Sequence, residues 1–162
     1  MDVPFVRLIS LQTRRMRTCE VSYLLDTDHI SFLQRRSSSE FTRLTARIRQ
    51  KPLTDFALSV VSFHEQVLGA HSFINRAQTN PDIIRGYALL SETLEGFSTA
   101  LVLLFDSEAI AVFDVLRDQR IRVPTMDLRI AAIAISRNLV LLTRNASDFS
   151  KVLGLVTEDW TV

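Results

Sequence analysis

Asp26, Glu65, Asp127 and Asp148 are the residues whose type and placement point to chemistry. Three of them stand at or shortly past the end of an apolar run: Val21 to Leu25 ahead of Asp26, Phe56 to Phe63 ahead of Glu65, and Leu139 to Leu142 ahead of Asp148. Asp127 instead opens the helical stretch Leu128 to Ile135. Ligand sites in open α/β sheets form outside the carboxyl ends of the strands, so a parallel sheet would gather these four acids along one edge. Crowded carboxylates raise one another's pKa, and hard cations such as Mg²⁺ take oxygen ligands of this kind. The pattern predicts a divalent-metal site, for which the natural chemistry is metal-assisted phosphodiester cleavage.

Each acid taken alone has a structural explanation. Glu65 fits the last position of a Ser62-to-Glu65 capping box, Asp127 fits a first helical turn favoured by the dipole, and Asp26 and Asp148 fit turns or caps. The set argues otherwise, because four acids at equivalent topological places among apolar neighbours are expensive to desolvate without a cation.

The elements that must position them alternate apolar β-type runs with helical patterns from Val21 onward, which predicts an α/β fold with a central parallel sheet and helices on both faces. Val21 to Leu25 reads as the first strand, with Thr27 or Asp28 capping a short helix through about Arg35. Ser37 to Ser39 is a polar break, and Phe41, Leu44 and Ile48 share a helical face ahead of Pro52. Phe56 to Phe63 reads as the second strand. Asn80 and Pro81 read as N-cap and first-turn residue of a helix whose seam is Ile83, Tyr87, Leu90, Leu94, Phe97 and Leu101, suited to a hairpin partner or a second subunit. Leu101 to Phe105 is the third strand, and Asp106 caps a helix with Ala109, Val112, Phe113 and Leu116 on one face. Thr125 is the expected N-cap of a helix apolar nearly all round, hence central and buried. Asn138 ends it, Leu139 to Leu142 is a strand, and a short last strand lies near Leu155 and Val156.

The length of 162 residues suits one domain, with residues 1–20 an N-terminal extension and 21–162 the folded unit. The extension carries Arg7, Arg14, Arg15 and Arg17, lacks periodicity, and precedes Val21; a disordered arm or a misassigned start at Met16 is favoured over a basic RNA-binding arm. Cys19 is the single cysteine, which excludes an internal disulfide or a Cys-based zinc site and fits a reducing compartment, the cytoplasm by default. No run approaches the roughly 20 apolar residues of a membrane span. The net charge of +1 says little about nucleic acid, although all the basic side chains but Lys51 and Lys151 are arginine, whose planar fork suits phosphate.

Four local sequences occur in order: Leu24-Leu25-Asp26-Thr27-Asp28; Ser59-Val60-Val61-Ser62-Phe63-His64-Glu65 with Gly69; Thr125-Met126-Asp127-Leu128-Arg129-Ile130-Ala131-Ala132; and Leu142-Thr143-Arg144-Asn145-Ala146-Ser147-Asp148-Phe149. Together they resemble the PIN-domain ribonucleases, most closely the VapC-like toxins of type II toxin–antitoxin systems, from about Tyr23 to Trp160. The resemblance implies a three-layer α/β/α sandwich and a Mg²⁺- or Mn²⁺-dependent endoribonuclease acting on single-stranded or loop RNA. It also implies a homodimer inhibited by a small antitoxin. Asp26, Glu65 and Asp127 map onto the first three family acids. At the fourth position the family places an acid either where this chain has Asn145 or three residues later, so Asp148 is the expected ligand, with Thr143 and Asn145 as supporting polar groups. Arg129 departs from the usual apolar neighbour and is read as a phosphate contact or a solvent-facing residue.

Competing sites are weaker. His64-Glu65 begins a metalloprotease-like helix motif, but Leu68 stands where its second histidine belongs. His29, His64 and His71 are read as helix-surface or partly packed residues, and the glycines build no phosphate-cradling loop. A PIN fold without turnover that only binds RNA or protein is the alternative from another class, and a phosphatase or DNA nuclease would use the same acids.

Overall fold

The computed structural model describes residues 22–162; the expected N-terminal extension and Cys19 lie outside them. Within that range, strands β1 (Tyr23–Leu25), β2 (Phe56–Ser59), β3 (Val102–Leu103), β4 (Val140–Leu142) and β5 (Val156–Glu158) form a wholly parallel sheet in the order β3-β2-β1-β4-β5. The helices are α1 (Thr27–Arg35), α2 (Ser39–Ile48), α3 (Val60–Arg76), α4 (Asn80–Ser98), α5 (Ser107–Asp118), α6 (Thr125–Ser136) and α7 (Ala146–Phe149). No described helix is long and apolar enough to cross a membrane.

Side chains alternate across a strand, and that period of two divides the core into two clusters. Leu24, Ala57 and Leu141 pack with the buried faces of α5 and α6, while their neighbours Leu25, Leu58 and Leu142 pack with Ile30, Leu33, Leu44, Phe97 and Trp160 on the opposite face. The result is the expected α/β/α sandwich. As expected, α6 is central: Ile130 through Ala134 are fully buried. On the other face Tyr23, Phe56 and Trp160 form a ring cluster, with centroids 4.9 to 5.9 Å apart, which ties the chain's last residues to β1 and β2.

Several element boundaries differ from the sequence reading, and each difference traces to a cap. The second strand stops at Ser59, because the Ser59 hydroxyl accepts from Ser62 N and starts α3 at Val60, four residues earlier than the apolar run suggests. Ser62 is therefore inside the helix, and there is no capping box ending at Glu65. Asp26 caps α1 in place of Thr27 or Asp28, Thr79 caps α4 in place of Asn80, and α6 starts after Pro124 with no side-chain cap, so Thr125 is its first helical residue. Asp106 caps α5 as expected.

The seam of α4 is split. Phe97 is buried and meets Phe63 of α3 in an edge contact, whereas Ile83, Tyr87 and Leu94 are exposed. The α3–α4 hairpin is close at Gly86, where a Cβ would collide with Ile74 Cγ1 and lie 3.4 Å from the Ile74 backbone. Gly69, in the middle of α3, has nothing within 4 Å of a Cβ. Gly86→Ala is therefore expected to destabilise the fold by about 1–3 kcal/mol despite alanine's better helix propensity, and Gly69→Ala to stabilise it by about 0.5–1 kcal/mol. Urea denaturation of the two variants checks both signs.

Candidate active site

Asp26 follows the carboxyl end of β1, the middle strand, and its backbone N–H continues the ladder to Leu142 O at 3.0 Å. Its side chain is buried and accepts two hydrogen bonds: Thr27 N donates to Oδ1 at 2.8 Å, and Thr143 Oγ1 donates to Oδ2 at 2.7 Å. Thr143, just past β4, is fixed in turn by donation from Asn145 N to its hydroxyl at 3.0 Å, which leaves that hydroxyl's proton for Asp26. Burial, then the nearby Asp28, raises the Asp26 pKa from 3.8 to about 7, against the lowering influence of the Thr143 and Thr27 donors.

Asp127 lies in the uncapped first turn of α6, where free backbone N–H groups favour a negative charge. Burial raises its pKa to about 6, followed by repulsion from Glu65 and Asp148, which places both acids in its electrostatic neighbourhood. Asn145 Nδ2 donates to Asp127 Oδ2 at 3.0 Å and to Asp148 Oδ2 at 3.2 Å. Asp148, in α7, also accepts from Lys151 Nζ at 2.6 Å, and that hydrogen bond is the main reason its pKa is lowered. Glu65, in the second turn of α3, accepts a short hydrogen bond from Thr27 Oγ1, and the neighbouring Gln66 reaches Ser31 Oγ at 3.1 Å.

The fold thus brings all four acids into one neighbourhood, with Thr143 and Asn145 directly on their carboxylates. Oxygen donors of this kind, two of them with a disfavoured anion, suit a hard divalent cation in chemical type. Among the described residues no three His, Cys, Asp or Glu side chains stand together in ligating geometry. Glu65 is turned to Thr27 and Asp148 to Lys151, so Asp26 and Asp127 are the pair left most in need of positive charge.

Four residues were missed or misread from sequence. Asp28 contributes to the raised pKa of both Asp26 and Asp127, accepts from Arg144 N at 2.8 Å, and meets His29 Nδ1 at 2.7 Å. Its position two residues after Asp26 at a helix start was the available signal. His29 is fully buried rather than at the surface: with Nδ1 on Asp28, its Nε2 accepts from Trp160 N at 3.4 Å. Arg129 is half-buried, with its guanidinium over the Phe113 ring at 5.8 Å and against Met126 Sδ at 3.4 Å, a packing role that the sequence did not suggest. Lys151 was legible only as a lone lysine three residues after Asp148.

No model of a known protein family matches the chain. It is 27% identical over 144 residues to Ribonuclease VapC1 of Haemophilus influenzae strain R2866, an alignment that covers 86% of this chain and 98% of that relative. Among solved structures, VapBC-1 from nontypeable Haemophilus influenzae superposes with a TM-score of 0.60 at 27% identity, covering 86% of this chain and 98% of that one. The resemblance to VapC-like PIN-domain proteins holds. The fold is also that of DNA-bound VapBC from Salmonella typhimurium, with a TM-score of 0.67 at 24% identity over 86% of this chain and 98% of that one.

The raised pKa of Asp26 has a consequence for stability. Because its folded value lies above its unfolded one, the protonated carboxyl is the form the metal-free fold prefers, so this contribution is full below about pH 4 and is lost as pH rises through about 7. In chelator, Asp26→Asn is expected to raise stability at pH 8 by about 2–4 kcal/mol, a gain that vanishes near pH 3.5. Denaturant melts at the two pH values test this, and a gap independent of pH would refute the assignment of cause.

Proposed function

We propose that this chain is a Mg²⁺- or Mn²⁺-dependent endoribonuclease that cleaves single-stranded or loop RNA, as the toxin of a type II toxin–antitoxin pair. The observation that carries the reading is the pairing of Asp26 and Asp127, two acids whose charge is disfavoured by burial and by each other's neighbours, in a chain that aligns with 98% of a ribonuclease. Support for a small protein partner comes from the VapBC complexes among the structural neighbours, and exposed Ile83, Tyr87 and Leu94 on α4 offer apolar surface for a homodimer.

In this reading Asp26, Asp127 and Glu65 hold the ion, with Glu65 turning away from Thr27 to do so. The chemistry a bound divalent cation supplies is activation of a water and neutralisation of charge on the scissile phosphate. The chain's own contribution is orientation. Thr143 aims one Asp26 oxygen, the α1 N-terminus aims the other, and Asn145 fixes the spacing of Asp127 and Asp148. In this reading Glu65 would also help to take a proton from the attacking water, and Asp148 would be the fourth carboxylate of the cluster. RNA is favoured over DNA through loop shape and 2′-hydroxyl contacts.

Changing a residue that only hydrogen-bonds to a metal ligand typically costs about 10–100-fold in activity or affinity, so loss of a ligand itself is expected to cost at least about 100-fold. Asp26→Asn and Asp127→Asn are each expected to lower cleavage of mixed RNA by that factor while keeping the native fold by circular dichroism. Asp148→Ala is expected to cost more than Asn145→Ala, since an amide cannot offset cationic charge. Cleavage that survives chelator, or near wild-type activity of both Asn variants in Mn²⁺, would sink the metal-nuclease reading and leave the binding module. Parallel DNA substrates test the choice of sugar.

A further inference from the structure

The far side of the acidic cluster is organised around donors, not around a vacant set of oxygens. Asn145 Nδ2 faces Asp127 Oδ2 and Asp148 Oδ2, and this defines the orientation of the amide, with Oδ1 accepting from Ser147 Oγ at 3.0 Å. A flipped amide would set an oxygen against two carboxylates. A cation bridging Asp127 and Asp148 would have to displace this NH₂ group. On the outer oxygen of Asp148, Lys151 Nζ sits at 2.6 Å, and it is anchored a second time on the Arg122 carbonyl at 3.3 Å. A lysine ammonium has three donors. Two are engaged here, and the side chain remains 45% exposed at the rim.

Two-metal nucleases set their ions roughly 3.5–4 Å apart, so that one assists the attacking oxygen and the other the leaving oxygen. Here an amide and an ammonium occupy the ground that a second ion between Asp127 and Asp148 would need. We propose that the site takes a single divalent ion, on the Asp26, Glu65 and Asp127 side, and that Lys151, held on Asp148, supplies the second positive charge to the RNA phosphate. This rests on the metal-nuclease reading above. Asp148 and Asn145 are then positioning residues: the first holds the ammonium, and the second stands in for the fourth acid while keeping Asp127 and Asp148 apart.

The proposal is tested on the full chain by Mn²⁺ binding, followed by electron paramagnetic resonance, and by affinity for an unmodified single-stranded RNA in chelator, where the metal needed for cleavage is absent. Wild type is expected to bind one Mn²⁺, and the double variant Asn145→Asp with Lys151→Met to bind two. Lys151→Met alone is expected to weaken metal-free RNA binding about tenfold and to reduce the salt dependence by about one ion, whereas Lys151→Arg stays within about threefold of wild type. Thermal midpoints of both Lys151 variants establish that the fold survives. Two Mn²⁺ ions on wild type would overturn the inference while leaving the nuclease reading intact, and no bound Mn²⁺ would overturn both. Unchanged RNA affinity in Lys151→Met, or an equal loss in Met and Arg, would show that Lys151 only braces the Arg122 loop.

Discussion

Asp26 combines two demands that pull against each other. It must be buried, because it follows the central strand of a sheet covered on both faces, and in the proposed nuclease it would have to be charged, because a cation site requires an ionised carboxylate. Its two donors, the α1 N-terminus and Thr143, fix the direction of both oxygens but do not remove the charge penalty, which leaves its pKa near 7. The geometry around it follows from this tension. β1 pairs with β4 in the register Leu25 to Leu142, which brings Thr143 to Asp26, and the chain past Thr143 then carries Asn145 and Asp148 to Asp127.

The same topology explains why four distant segments meet. With β1 in the middle of a parallel sheet, the chain leaves β1, β2 and β4 at the same edge, and the helices that begin there, α1, α3 and α7, carry Thr27 and Asp28, Glu65, and Asp148. Asp127 reaches that edge differently. It arrives on the first turn of α6, a helix buried so completely that its N-terminus can point only where the core allows. The tail is drawn in as well, since His29 links Asp28 to Trp160 N and the Trp160 ring packs at an angle against Tyr23 and Phe56.

Much of this was legible in the chain because burial leaves a periodic trace. The alternation of apolar runs, the all-round apolar character of α6 and the acids past the runs led to the sandwich and to the four carboxylates. Boundaries were less legible, because an apolar run of eight residues does not say where strand becomes helix; a hydroxyl at Ser59 decided it. Polar partnerships were the least legible. His29 looks like any helix-surface histidine until the tail folds over it, and nothing near Arg129 in the chain announces that Phe113 lies beneath its guanidinium. Such pairings depend on residues on other elements, for which local pattern carries no signal.

Hydrogen bonding and neutralisation are separate requirements, and the site meets them unequally. Among the described residues every buried side-chain nitrogen or oxygen has a partner. Thr143, Thr27, Asn145 and the Arg144 N–H each serve a carboxylate in the cluster. Most of these donors are neutral, and a neutral donor orients a carboxylate without cancelling its charge. Lys151 cancels charge only at Asp148, the outermost acid, whose pKa falls while those of Asp26 and Asp127 stay raised. What the inner site lacks is therefore positive charge and not another hydrogen bond. A water or a neutral ligand would leave that deficit in place. A small dication would remove it, which is why the proposed function assigns one to this site.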